Sequence, residues 1–177
     1  NFSFGTGNTD SRDIYVLNIN RARYKEKIFP GTFNLVLSGS DGTNPARVQL
    51  TDNSKDVTAL TFTDAGRVFD IVSGTNGSAV STAVTGGVTA GFTPSGSYGK
   101  FLPDVGLIIL NPRALALSQS LGGVGLTIND DLTDTAMVAN NSNLFESIKL
   151  AQTFSLNSEE TITSDFVFVR VRNTDFN

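Results

Sequence analysis

The residues whose types and spacing could do chemistry in this chain are carboxylates: Glu159–Glu160, Asp52 with Asp56, and Asp130–Asp131 with Asp134. Two acids flanking a glycosidic bond can cleave it, and aspartates alternating around a central glycine can hold calcium. Glu159 and Glu160 are neighbours, and neighbours on a strand point to opposite faces, so they do not converge. The chain also has no Trp and only 3 Tyr to stack a sugar. The aspartate groups lack the ligand spacing and closing glutamate of an EF-hand loop and read as solvated loops.

Composition removes most other chemistry. There is no His and no Cys. That excludes Ser-His-Asp and Cys-His catalysis, thiolate or imidazole zinc sites and Cys-ligated iron–sulfur clusters. The stretch Gly91 to Gly96 resembles a phosphate loop, but Ser97 stands where that motif needs lysine. Gly123-Val124-Gly125 lacks the third glycine of a dinucleotide fingerprint. The expectation is a protein that is no enzyme, with no cofactor and no metal, whose work lies in its surfaces.

Those surfaces must be carried by β-structure, because the dominant apolar period is two. Ile14–Ile19, Phe33–Leu37, Val48–Leu50, Arg67–Ser73, Val105–Leu110 and Asp165–Arg172 read as strands, with turn signals such as Pro30-Gly31 and the run Ser38 to Gly42 between them. In the last strand Phe166, Phe168, Arg170 and Arg172 share one face and Val167, Val169 and Val171 the other. Val105–Leu110 is continuously apolar and reads as a central strand. Helical signal is sparse. Asn111-Pro112 opens one short helix that ends before Gly122-Gly123. Asn143 with Glu146 opens a second over Leu144–Gln152, whose Leu144, Phe145, Ile148 and Ala151 form a stripe for the sheet. The expected class is mainly β: an antiparallel β-sandwich or barrel-like sheet with one or two short helices.

Two stretches stand apart. From Gly74 to Ser97 the chain is uncharged and built mostly of Gly, Ser, Thr, Ala and Val. It reads either as a flexible loop or weak hairpin turning at Gly86-Gly87, or as an arm that orders against a neighbouring subunit by burying Val80, Val84, Val88 and Phe92. The run Arg21-Ala22-Arg23-Tyr24-Lys25-Glu26-Lys27 would, as a strand, line one face with Arg21, Arg23, Lys25 and Lys27. That face is a charge-protected sheet edge, a contact surface for acidic groups on another protein, or a nucleic-acid patch centred on Tyr24. Asn129–Asn141 reads as solvated loop. The Asn-x-Ser triplets at Asn1, Asn76 and Asn140 are expected by chance in a chain this rich in Asn and Ser.

Length and charge set the outer bounds. The 177 residues carry a net charge of −4, with only 17% charged residues. One β-rich domain over residues 1–177 accommodates this length. The acidic balance argues against general nucleic-acid binding. No apolar run approaches the ~18 residues of a membrane helix. The opening at Asn1 in place of Met is consistent with a segment of a longer polypeptide.

Four stretches in this order resemble a family of virion structural proteins of large contractile-tailed phages, the T4-like marine and cyanobacterial viruses among them. They are Asp13–Phe33 (DIYVLNINRARYKEKIFPGTF), Gly66–Gly77 (GRVFDIVSGTNG), Tyr98–Pro112 (YGKFLPDVGLIILNP) and Ser158–Asn177 (SEETITSDFVFVRVRNTDFN). The resemblance implies a tail or baseplate component made in the host cytoplasm and resident in the virion. Its partners would be other virion structural proteins, in a homo-oligomer or hetero-assembly, with no nucleic acid and no membrane. It carries over no catalytic residues. A capsid decoration or neck protein, a receptor- or glycan-binding fibre module, and a hydrolase using only carboxylates are the competing readings.

Overall fold

The computed structural model describes residue 4 and residues 13–40, 45–80, 84–85, 98–117 and 138–170. In chain order the strands are β1 (Tyr15–Asn18), β2 (Lys27–Ile28), β3 (Asn34–Ser40), β4 (Pro45–Asp52), β5 (Thr61–Thr63), β6 (Gly66–Thr75), β7 (Ser78–Ala79), β8 (Val84–Thr85), β9 (Gly99–Leu102) and β10 (Leu107–Leu110). Helices α1 (Pro112–Leu117) and α2 (Val138–Ala151) follow, then β11 (Phe154–Ser155) and β12 (Ser158–Glu159).

The fold is mainly β. One curled antiparallel sheet runs β1-β10-β9-β6-β4-β3-β11, with β5, β7 and β8 added at its margins, and β12 pairs with β2 in a separate ribbon. β6 is the hub: along its length it pairs in turn with β5, β9, β4 and β7. A strand that changes partners this often must bend, and the bend curls the sheet around its inner face. That face is filled by Phe33, Leu35, Leu37, Leu50, Ile71, Phe101, Ile108 and Leu110, all almost fully buried. Phe33 stacks on Phe101 with centroids 5.2 Å apart and meets Phe154 edge-on at 6.3 Å, joining β11 to the core.

α2 lies against β3, with Leu144, Ser147 and Ala151 buried. It starts at Val138, six residues before the expected start, so Asn143 is a helix-interior residue and no capping box forms there. Phe145 is 64% exposed. Consecutive helical residues lie about 100° apart, so Leu144 and Phe145 cannot both face the sheet. The expected loop Asn129–Asn141 is helical from Val138, and Asn140 is fully buried, hydrogen-bonded to Tyr15 of β1. α1 begins at Pro112 as read from Asn111-Pro112, with the Leu115 amide donating to the Asn111 carbonyl at 3.2 Å; Gly122-Gly123 lie outside the described residues.

Two expected strands are absent as such. Arg21–Arg23 form a single 3₁₀ turn capped by Asn20, whose Oδ1 accepts from the Ala22 amide at 2.9 Å. Lys25 follows at φ +56, and only Lys27 enters a strand. Asp165–Arg170, the described part of the last predicted strand, pairs with no strand among the described residues. β1, at the sheet edge, is half-exposed, and Val105–Gly106 form the β9–β10 turn in place of strand.

The Gly74–Ser97 stretch begins inside the sheet. Gly74 and Thr75 end β6, and Asn76-Gly77 turn the chain into β7, with φ of +52 and +87. The Val80 amide donates to the Ser73 carbonyl at 3.0 Å, and Val84 lies in β8, paired with β4. Gly86-Gly87, Val88 and Phe92 lie outside the described residues.

Candidate assembly surfaces

Asn-Gly is the residue pair that best suits the left-handed conformations of a tight hairpin turn, and here a polar network fixes it. Asn34 Nδ2 donates to Asn76 Oδ1 at 2.9 Å, and the Asn76 amide donates back to Asn34 Oδ1 at 2.9 Å. The Gly77 amide donates to Thr51 Oγ1 at 2.9 Å, whose hydroxyl donates to the Phe33 carbonyl at 2.6 Å. Gly77 sits so close to Gly31 that an added Cβ would lie 2.6 Å from the Gly31 Cα. Both carboxylate oxygens of the fully buried Asp52 accept from the Gly31 amide at 3.0 Å, and one accepts from the Ser54 amide at 3.0 Å. Asp56 accepts from the Ala79 amide at 2.6 Å. These two aspartates, singled out as cation candidates, are thus bound to backbone amides. Asp130, Asp131 and Asp134 lie outside the described residues.

The aromatic residue of the basic run is buried. Tyr24 is 2% exposed, correcting its reading as a surface contact. Its ring lies over Gly106, where a Cβ would come within 2.6 Å of the phenol oxygen, and the Arg21 guanidinium stands 5.8 Å from the ring centroid. Arg21, Arg23 and Lys25 are exposed and Lys27 is half-buried. They do not line one strand face, because the 3₁₀ turn fans them out.

Two of these residues hold the chain's own later segment. Lys27 pairs in register with Glu159, and Lys25 forms an ion pair with Glu160, which raises the Lys25 pKa through that hydrogen bond. Glu26 Oε2 accepts from the Thr161 amide at 3.1 Å. A clamp that the sequence reading did not single out completes the anchorage. Arg67 Nη2 donates to Asp104 Oδ1 at 2.8 Å and to Glu159 Oε2 at 2.9 Å, and the Arg67 amide donates to Asp104 Oδ2 at 2.6 Å. Burial pushes the Asp104 carboxyl up, but the Arg67 hydrogen bonds and charge outweigh it, leaving the pKa below its ordinary value. Glu159 and Glu160 therefore diverge onto two different cations.

Beyond Thr161 the side chains are exposed. Ile162, Phe166, Val167, Phe168 and Val169 are each more than 80% exposed. Burying one such side chain yields roughly 1.5–3 kcal/mol. Ordering the backbone costs about 1–2 kcal/mol per residue. The two are comparable, so this segment orders only where ladder hydrogen bonds add to apolar burial. A sheet edge supplies both.

Among the described residues two concavities stand out. Asn53, Val57, Asp70 and Lys100 help line one of about 80 Å³, spanned by the Lys100–Asp70 ion pair. That is far below the roughly 300 Å³ at which small-molecule sites begin. A wide-open groove of about 490 Å³ at the end of β1 is lined by Asn18, Ile19, Asn20, Arg21, Tyr24 and Val105.

No protein-family model, curated protein or solved structure matches the chain. Among the described residues no helix is long and apolar enough to cross a membrane.

Proposed function

We propose that this chain is a structural subunit of a tailed-phage virion, acting through subunit–subunit contacts in the tail or baseplate. The observation that carries the reading is the segment Ile162–Val169 with its apolar run Phe166–Val169, held at its root by Glu159, Glu160 and Thr161 and exposed along its length. Monomeric proteins seldom present contiguous apolar surface of this kind, and where it occurs it marks a contact with another molecule. The resemblance of Asp13–Phe33, Gly66–Gly77, Tyr98–Pro112 and Ser158–Asn177 to virion proteins of contractile-tailed phages supplies the setting. In that setting the polar, weakly charged surface suits persistent packing against neighbours.

Mass spectrometry of purified particles, combined with density maps of their tails, tests this reading. It expects the chain in stoichiometric amount at the tail or baseplate. Location at the capsid or neck would move it to the decoration reading, location at a fibre tip would move it to receptor binding, and absence from particles would defeat it.

A further inference from the structure

We infer that the segment Ile162–Arg170 is a donor strand that adds to the β1 edge of a second copy of this chain. This deepens the assembly reading by naming the partner, and it rests on that reading. Three observations carry it. The segment's Phe166-Val167-Phe168-Val169 run is apolar on both faces, the pattern of a strand covered on both sides. In its own chain it has no strand partner among the described residues and is exposed throughout. The same chain offers an acceptor: β1 pairs only with β10 among the described residues.

Among the described residues that edge carries none of the usual protection. Open edges are normally blunted by Lys, Pro or a bulge. β1 reads Tyr-Val-Leu-Asn; its Val16 is 49% exposed, and Ile14 just before it 39%. Donor root and acceptor edge also lie at one end of the molecule. Thr161 is held by Glu26, two residues from the Tyr24 that lines the groove at the end of β1. Two copies related by a two-fold axis at that end can each lay the segment antiparallel along the other's β1, which is a closed, reciprocal exchange.

The absence of cysteine from the chain makes the test clean. A copy carrying Val16→Cys is mixed, under mild oxidation, with a copy carrying Val167→Cys or Phe168→Cys, and the products are read by intact mass. The expected result is a disulfide-linked heterodimer favouring one of the two donor positions, since a one-residue slip reverses every side chain. A single chain carrying both Val16→Cys and Val167→Cys, or Val16→Cys and Phe168→Cys, that closes only on itself would show fold-back and overturn the exchange. Light scattering supplies the second measurement. Phe166→Asp with Phe168→Asp is expected to weaken self-association at least about tenfold, with the circular dichroism of the body unchanged. Self-association unaffected by these substitutions would overturn the donor strand and leave assembly through another surface standing. A wild-type chain monomeric throughout the micromolar range would overturn the second copy as partner, while the particle measurement decides the assembly reading separately.

Discussion

Replacing Gly77 by alanine sets a methyl group against the Gly31 Cα and forces a side chain into left-handed backbone. The expected cost is about 1–3 kcal/mol, read as a lower urea midpoint with unchanged slope. Asp104 gives the pH dependence. Its folded pKa lies below the ordinary value, so its contribution is fully present above about pH 4 and is lost as pH falls through the folded pKa. Asp104→Asn is expected to lower stability at pH 7 by about 2 kcal/mol and to flatten the acid-side loss, measured by urea unfolding at pH 7 and pH 3. An equally steep acid loss in the variant would show that other carboxylates carry it. At this scale the sequence was only partly legible. Asn76-Gly77 is the strongest short hairpin signal available and was there to be read, but the uncharged residues after it drew the whole stretch into a loop or arm. The Arg67–Asp104–Glu159 clamp was not legible, because its members are 37 and 92 residues apart and only the folded sheet brings them together.

Among the elements, the strands were legible wherever a pattern of period two met partners on both sides. β3, β4 and β6 fall where Phe33–Leu37, Val48–Leu50 and Arg67–Ser73 indicated, each longer than read. The reading failed where local pattern and available partner disagree. Arg21–Lys27 alternates, yet Asn20 caps a 3₁₀ turn that buries Tyr24 under Gly106. Asp165–Arg170 alternates too, but strand pairing needs a second strand. α2 offers a direct check of helix orientation. Leu144→Ala is expected to cost about 2–3 kcal/mol, since Leu144 is buried against the sheet. Phe145→Ala, on the solvent face, is expected to stay within about 0.5 kcal/mol in thermal or urea unfolding. The reverse order would mean that α2 is rotated by one residue.

The whole molecule pairs a well-filled curled sheet with a segment that has no strand partner among the described residues. The class, mainly β with little helix, was legible because composition and period constrain it. The arm expected at Gly74–Ser97 opens as the β6–β7 hairpin, and residues 81–83 and 86–97 lie outside the described residues; an exposed apolar run lies after β12. On the proposed exchange, Ile162–Arg170 gains order by meeting a second copy of the chain. Amide hydrogen exchange of Ile162–Arg170 as a function of protein concentration tests that claim most directly. Slow exchange at high concentration that becomes fast on dilution, while β3, β4 and β6 stay protected, is the predicted result; exchange that is fast at every concentration and equally fast in assembled particles would contradict it.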